Sequence, residues 1–234
     1  MCLYHIGLKN IQHIFFDLDH TLWDFDTNSE KAFEVIFQDL YPELHVTDFL
    51  EHYIPINQAC WKLYQEDKIT HETLRYERLK QSFDALNVQV NDNQIEYISE
   101  AYIELLPEFN HLFEHTHETL SYLQLRYNLH IITNGFAEVQ FKKMTRSNLM
   151  SYFTTITNSE QAGAKKPNPI IFEHALKAAQ ADKHHSIMIG DSIEADILGA
   201  TDFGMQAIFF NPNQLPTQLD VMQITNLVEL KTLL

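Results

Sequence analysis

The stretch HIFFDLDHTLWD, residues 13–24, sets an apolar and aromatic run directly before two aspartates one residue apart, Asp17 and Asp19. A short apolar run of this kind reads as a strand buried on both faces, here Ile11–Asp17, and such strands belong to parallel sheets. Two like charges at the end of a buried strand repel each other, so their presence calls for a compensating positive charge.

Further along the chain the same pattern recurs. YNLHIIT (Tyr127–Thr133), Tyr152–Thr157, SIMIG (Ser186–Gly190) and QAIFF (Gln206–Phe210) read as four more strands. Between them, Ala137–Asn148, Pro169–Gln180 and Ile193–Phe203 carry helical periodicity. Short apolar strands alternating with amphipathic helices predict an α/β fold, a Rossmann-like parallel sheet covered by helices on both faces.

One interval breaks this alternation. Roughly 110 residues separate the first strand from the second, whereas a whole βαβ unit needs only about 30. The interval is helix-like throughout: FEVIFQDLY, FLEHYIPINQACWKLYQ, ETLRYERLKQSFDAL and IEYISEAYIELL repeat apolar residues at three- and four-residue spacing. Start signals stand at Thr27-x-x-Glu30 and at Asn91–Asn93, Pro55 is expected to interrupt the second helix, and Pro107 to end the last. The predicted organisation is an α/β core of residues 1–21 plus 110–234 and an inserted α-helical cap of residues 22–109.

Composition narrows the function classes. The 234 residues are 45% hydrophobic and carry a formal net charge of −16, with no Lys/Arg-rich run, so the overall field repels nucleic acid polymers. No stretch is apolar for long enough to span a membrane, and MCLYHIGLKN lacks the order of a leader, which makes the cytoplasm the expected compartment. Cys2 and Cys60 form neither a disulfide framework nor a cysteine metal site, and the thirteen histidines show no ligand spacing. The chain is expected to act as a monomer or homodimer on a small molecule.

Ligands of open α/β sheets bind beyond the carboxyl ends of the strands, and there the polar residues converge. Asp17 and Asp19 follow the first strand, Thr133-Asn134-Gly135 the second, Lys166 lies in the loop after the third, and Gly190-Asp191 with Asp196 follow the fourth. Asp17, Asp19 and Asp191 brought together require a hard cation, and oxygen ligands with room for water suit Mg²⁺. Lys166, the Thr133 hydroxyl and the backbone N–H groups of Asn134 and Gly135 supply positive charge and donors for a phosphate. Asp17 is then placed as a nucleophile forming an aspartyl-phosphate, and Asp19, two residues on along an extended chain, as the acid that protonates the leaving oxygen and the base that later activates water.

Asp17-Leu18-Asp19-His20-Thr21, Thr133-Asn134-Gly135, Lys166-Pro167 and Gly190-Asp191-Ser192-x-x-x-Asp196-x-x-Gly199-Ala200 resemble, in order, the four motifs of the haloacid dehalogenase-like hydrolase superfamily with an insertion at the first cap position. The resemblance implies Asp17 as nucleophile and metal ligand and Asp19 as acid/base and as metal ligand through its backbone carbonyl. It further implies Thr133, Asn134 and Lys166 as phosphate-binding residues, Asp191 as metal ligand, and Asp196 as a supporting acid that orients Lys166. The extension Leu22–Ser29 is similar to the subgroup of pyrimidine 5′-nucleotidases. The activity so implied is Mg²⁺-dependent hydrolysis of a phosphomonoester, with a sugar-phosphate phosphatase or phosphomutase, or a phosphate-binding protein without turnover, as the alternatives. Dehalogenation is disfavoured, because it does not call for Asp19 as a leaving-group acid.

Overall fold

Strands β1 (His13–Phe16), β2 (Asn128–Thr133), β3 (Thr155–Asn158), β4 (Ser186–Gly190), β5 (Gln206–Phe210) and β6 (Gln223–Ile224) form one parallel sheet in the order β3-β2-β1-β4-β5-β6. This computed structural model describes residue 8 and residues 10–234; Cys2 and most of MCLYHIGLKN, read above as lacking the order of a leader, fall outside the described residues. The helices are α1 (Phe25–Leu40), α2 (Val46–Gln65), α3 (His71–Ala85), α4 (Asp92–Leu105), α5 (Thr116–Leu123), α6 (Ala137–Arg146), α7 (Ser159–Ala162), α8 (Pro169–Ala179), α9 (Gly199–Phe203) and α10 (Leu230–Leu233). Among the described residues, no helix is long and apolar enough to cross a membrane.

The chain divides into two compact units, one running up to Asp24 and resuming over Leu112–Leu234, the other Phe25–His111. In the first, the apolar strands are buried because helices cover them. Phe15, Ile132 and Met188 project from three neighbouring strands onto Ile171, Phe172, Ala175 and Leu176 of α8 and Ala200 of α9. Each such large side chain taken out of water stabilises the unit by about 2 kcal/mol. The sequence reading did not give the short helices α7 and α10, nor β6, only two residues at the sheet edge, nor α5, whose buried face is Thr116, Thr119, Leu120 and Leu123. Two threonines on that face mask its apolar periodicity.

The second unit consists of α1 to α4 around an aromatic core. The Phe33 ring lies 4.9 Å from Phe49, 4.8 Å from Tyr53 and 4.5 Å from Tyr102. Pro55 does not interrupt α2, contrary to the sequence expectation: the helix runs unbroken through it. Proline in a helix interior costs about 3 kcal/mol, but Phe49, Tyr53, Asn57 and Cys60 form one buried face that continues on both sides of Pro55. Burial of that face outweighs the local cost. Likewise α1 begins at Phe25, two residues before Thr27, because its buried face already starts with Phe25, Asn28, Ser29 and Ala32. Asn91 does cap α4, in a reciprocal capping box with Gln94, and α4 ends at Leu105, where a 3-10 turn carries Pro107. Asn28 joins the two ends of this unit: its side chain accepts the His111 N–H at 2.9 Å and donates to the His111 carbonyl at 2.9 Å.

Candidate active site

Strand register brings the sequence-predicted residues to one edge of the sheet. Phe16 is level with Ile131 of β2 and with Ile189 of β4. Asp17 therefore leaves β1 where Thr133 closes β2 and where Asp191 follows β4, and the Asp17 N–H donates to the Ile189 carbonyl at 2.9 Å. After Asp19 the chain turns sharply through His20, whose φ of 60° is uncommon for a residue with a side chain. The turn presents the Thr21 hydroxyl to Asp191 Oδ1 at 3.2 Å.

Lys166 sits at the centre of the acidic cluster and is 2% exposed. An ammonium has three donors, and here they reach Asp17 Oδ1 at 2.6 Å, Asp196 Oδ1 at 2.6 Å and the Ile132 carbonyl at 2.7 Å. The loop bearing Lys166 is held by Asn134, whose side chain accepts the Lys166 N–H at 2.7 Å and donates to its carbonyl at 3.0 Å. Asn134 thus anchors the lysine's backbone with its amide.

Asp196 lies in a six-residue π-helical stretch, Ile193–Leu198, that precedes α9; such stretches are uncommon and recur at functional sites. Its carboxylate turns back to accept the Ser192 N–H at 3.0 Å while contacting Lys166. It does so across Gly190, where an added Cβ would lie 2.2 Å from Asp196 Oδ2. Glycine is required there so that the carboxylate can approach the strand end.

Asp19 is held apart from this cluster by two residues that the motif reading did not identify, both on α6. Lys143 Nζ lies 2.5 Å from Asp19 Oδ1, and Gln140 Nε2 donates to Asp19 Oδ2 at 2.9 Å and to the Thr133 hydroxyl at 2.7 Å. Thr133 Oγ also accepts the Gly135 N–H at 3.1 Å, so its own proton remains for another acceptor. A signal existed in the sequence: Val139, Gln140, Lys143 and Met144 share the buried face of α6, and a lysine and a glutamine on an apolar face need polar partners.

Oxygen atoms of Asp17, Asp191 and Asp196 all lie within 4.8 Å of one another, and this is the one group of three or more acidic, histidine or cysteine side chains so placed among the described residues. Burial, opposed by Lys166, raises the Asp17 carboxyl well above the usual range. Burial reinforced by the Asp196 charge pushes Asp191 up to about 8. Burial alone would favour neutral Lys166, but Asp17 and Asp196 outweigh it and keep the ammonium charged. With all four groups ionised, three carboxylates and one ammonium leave two negative charges. All the acidic donors are hard oxygens, so the set fits one divalent cation.

The sequence profile described as haloacid dehalogenase-like hydrolase matches residues 14–210. The pyrimidine 5′-nucleotidase PynA of Streptococcus pneumoniae is 31% identical over 86% of this chain and 84% of its own. A glyceraldehyde 3-phosphate phosphatase of Methanothermobacter thermautotrophicus is 29% identical over 96% of this chain and the whole of its own. The crystal structure of YfnB from Bacillus subtilis, bound to magnesium, superposes with a TM-score of 0.88 at 28% identity, covering 96% of this chain and 98% of that one. Profile, relatives and fold agree over nearly the full length, and the four motifs converge on one sheet edge in the expected order. The chain belongs to the haloacid dehalogenase-like hydrolase family.

Proposed function

We propose that this protein is a Mg²⁺-dependent phosphomonoesterase that works through an aspartyl-phosphate on Asp17 and acts on pyrimidine nucleoside 5′-monophosphates. The observation that carries the reading is the separation of two carboxylates only two residues apart: Asp17 joined to Lys166 within the acidic cluster, and Asp19 held outside it by Lys143 and Gln140. A nucleophile must stay ionised and placed against the phosphorus, whereas a general acid must reach the leaving oxygen. Burial raises the Asp17 carboxyl, so Lys166 and a bound cation are what would keep it ionised as the nucleophile, while Asp19 lies outside that cluster, where it can exchange a proton with the leaving oxygen and with water.

Asp17 attacks the phosphorus as Asp19 gives its proton to the departing oxygen. Asp19 then takes a proton from water, which hydrolyses the aspartyl-phosphate. Because the three donors of Lys166 already have protein acceptors, Lys166 serves the incoming phosphate chiefly through its charge and by fixing the Asp17 oxygen. The Thr133 hydroxyl donates to a phosphate oxygen, and Asn134 keeps the Lys166 loop in register with it. Asp17, the backbone carbonyl of Asp19 and Asp191 would hold Mg²⁺, with Asp196 balancing Lys166; when bound, the ion neutralises charge on the phosphoryl oxygens.

The leaving group is inferred from the Leu22–Ser29 segment and from the similarity to PynA. The similarity to a triose-phosphate phosphatase supports a second reading, a sugar-phosphate substrate handled by the same core. Phosphate release from a panel of nucleoside monophosphates and sugar phosphates, with Mg²⁺ or with chelator and with Asp17→Asn as blank, decides between them. Preference for UMP, CMP or dTMP that chelator abolishes is the expected result. A sugar-phosphate preference overturns the substrate, and release by Asp17→Asn overturns the mechanism.

A further inference from the structure

Arg78, on α3 of the helical unit, is 2% exposed. Its Nη1 donates to Asn57 Oδ1 at 3.3 Å, and its guanidinium carbon lies 5.1 Å from the centre of the Tyr102 ring. Its Nε and Nη2 are buried with no hydrogen-bond partner, and no carboxylate pairs with it among the described residues. The Tyr53 hydroxyl, in the same aromatic core, is buried and unpartnered as well.

A buried cation without a counter-charge is strongly penalised by the loss of its hydration. One hydrogen bond to a neutral amide and one cation–π contact return only part of that cost. The deficit points to a role other than stability. Nε and Nη2 are the two parallel donors of the side-on edge of a guanidinium, the edge that binds planar groups in bidentate fashion. The protein satisfies the other side through Asn57 and leaves this buried edge without a partner.

We propose that Arg78 is a ligand-reading residue of the helical unit, its Nε/Nη2 edge taking a planar group with two adjacent acceptor atoms. Two sources offer that chemistry: a carboxylate, and the O2/N3 edge of a cytosine ring. Uracil does not, because its N3 carries a proton. The choice of ligands rests on the phosphomonoesterase reading, so every probe carries a phosphate or is phosphate itself.

The test measures binding of CMP, UMP, 2-phosphoglycolate and inorganic phosphate, with Mg²⁺ present, to full-length Asp17→Asn protein, alone and combined with Arg78→Met or Arg78→Lys. The expected result is a loss of about 10–100-fold for CMP or for 2-phosphoglycolate in both Arg78 variants, with UMP and phosphate unchanged. Whichever probe loses affinity identifies the source. Unliganded Arg78→Met should unfold at or above the temperature of its parent, since it removes an unpaired charge; a purely structural arginine would lower it. If phosphate and UMP bind while CMP and 2-phosphoglycolate are indifferent to the substitutions, or if UMP falls as much as they do, this proposal is overturned alone. If none of the four binds to the parent, the phosphomonoesterase reading falls with it.

Discussion

Lys143 Nζ lies 2.5 Å from Asp19 Oδ1, and the same ammonium sits 4.2 Å from the centre of the Trp23 ring. Asp19 is thereby held at a fixed distance from the acidic cluster that contains Asp17.

If that contact positions the general acid, Lys143→Met should lower kcat by about 10–100-fold, a share of the 10²–10⁴ attributed to acid–base catalysis. KM should change little. The Met side chain fills most of the same volume and Asp19 retains Gln140 and some access to solvent, so the unfolding temperature should stay within a few degrees. Steady-state kinetics beside thermal unfolding checks both. An unchanged kcat would show that Gln140 alone suffices.

Lys166→Met should behave differently, because it strips the shared ammonium from two buried carboxylates. Breaking a buried ion pair from one side costs about 3–5 kcal/mol. Urea unfolding in chelator is expected to show a loss of that order, together with loss of activity. Stability within 1 kcal/mol of the parent would mean that Asp17 and Asp196 take up protons at no net cost.

Magnesium should stabilise the folded chain, since the ionised cluster carries an excess of two negative charges. At a concentration of 100 times Kd the gain is about 2.7 kcal/mol. It should be abolished by chelator and much reduced in Asp191→Asn. The gain should also weaken as pH falls below about 8, where burial favours protonated Asp191. Thermal unfolding across a magnesium series at several pH values reads all three, and a shift of equal size in Asp191→Asn would remove this aspartate from the metal site.

The pH dependence of stability has a separate source further back along the strands, where His130 of β2 is level with Phe15 of β1. His130 is fully buried, with Nδ1 at 2.8 Å from the Thr155 hydroxyl and Nε2 at 3.0 Å from His13 Nδ1. Burial, then the neighbouring His13, pulls its pKa down to about 4. The unfolded chain takes up this proton below about 6.5 while the folded chain does not, so stability falls as pH drops from 6.5 towards 4, by on the order of 3 kcal/mol. Asp17 and Asp191 have raised values and act in the opposite sense over part of this range. The difference between wild type and His130→Phe isolates the histidine, because the aspartate contributions cancel. A flat difference between pH 6.5 and 4 would contradict the assignment.

The sequence alone determined the five longer strands, the inserted helical segment and the four motifs, because each depends on local periodicity or on residues adjacent in the chain. Apolar runs such as Phe15–Phe16 and Ile131–Ile132 are buried whatever packs on them, and Asp17, Thr133 and Asp191 stand at strand ends by position alone. The tertiary structure decided what depends on contacts between distant residues. Pro55 lies within a continuous helix because α2 buries one face along its length. Gln140 and Lys143 reach Asp19 because α6 packs beside the end of β1, more than a hundred residues away in the chain. Arg78 is left with a buried, unpartnered edge because packing sets it against Asn57 of α2 and the Tyr102 ring of α4 and against no carboxylate among the described residues. None of these partners is encoded by spacing. Each is chosen by packing, which places side chains by the shape of what they bury and not by their separation in sequence.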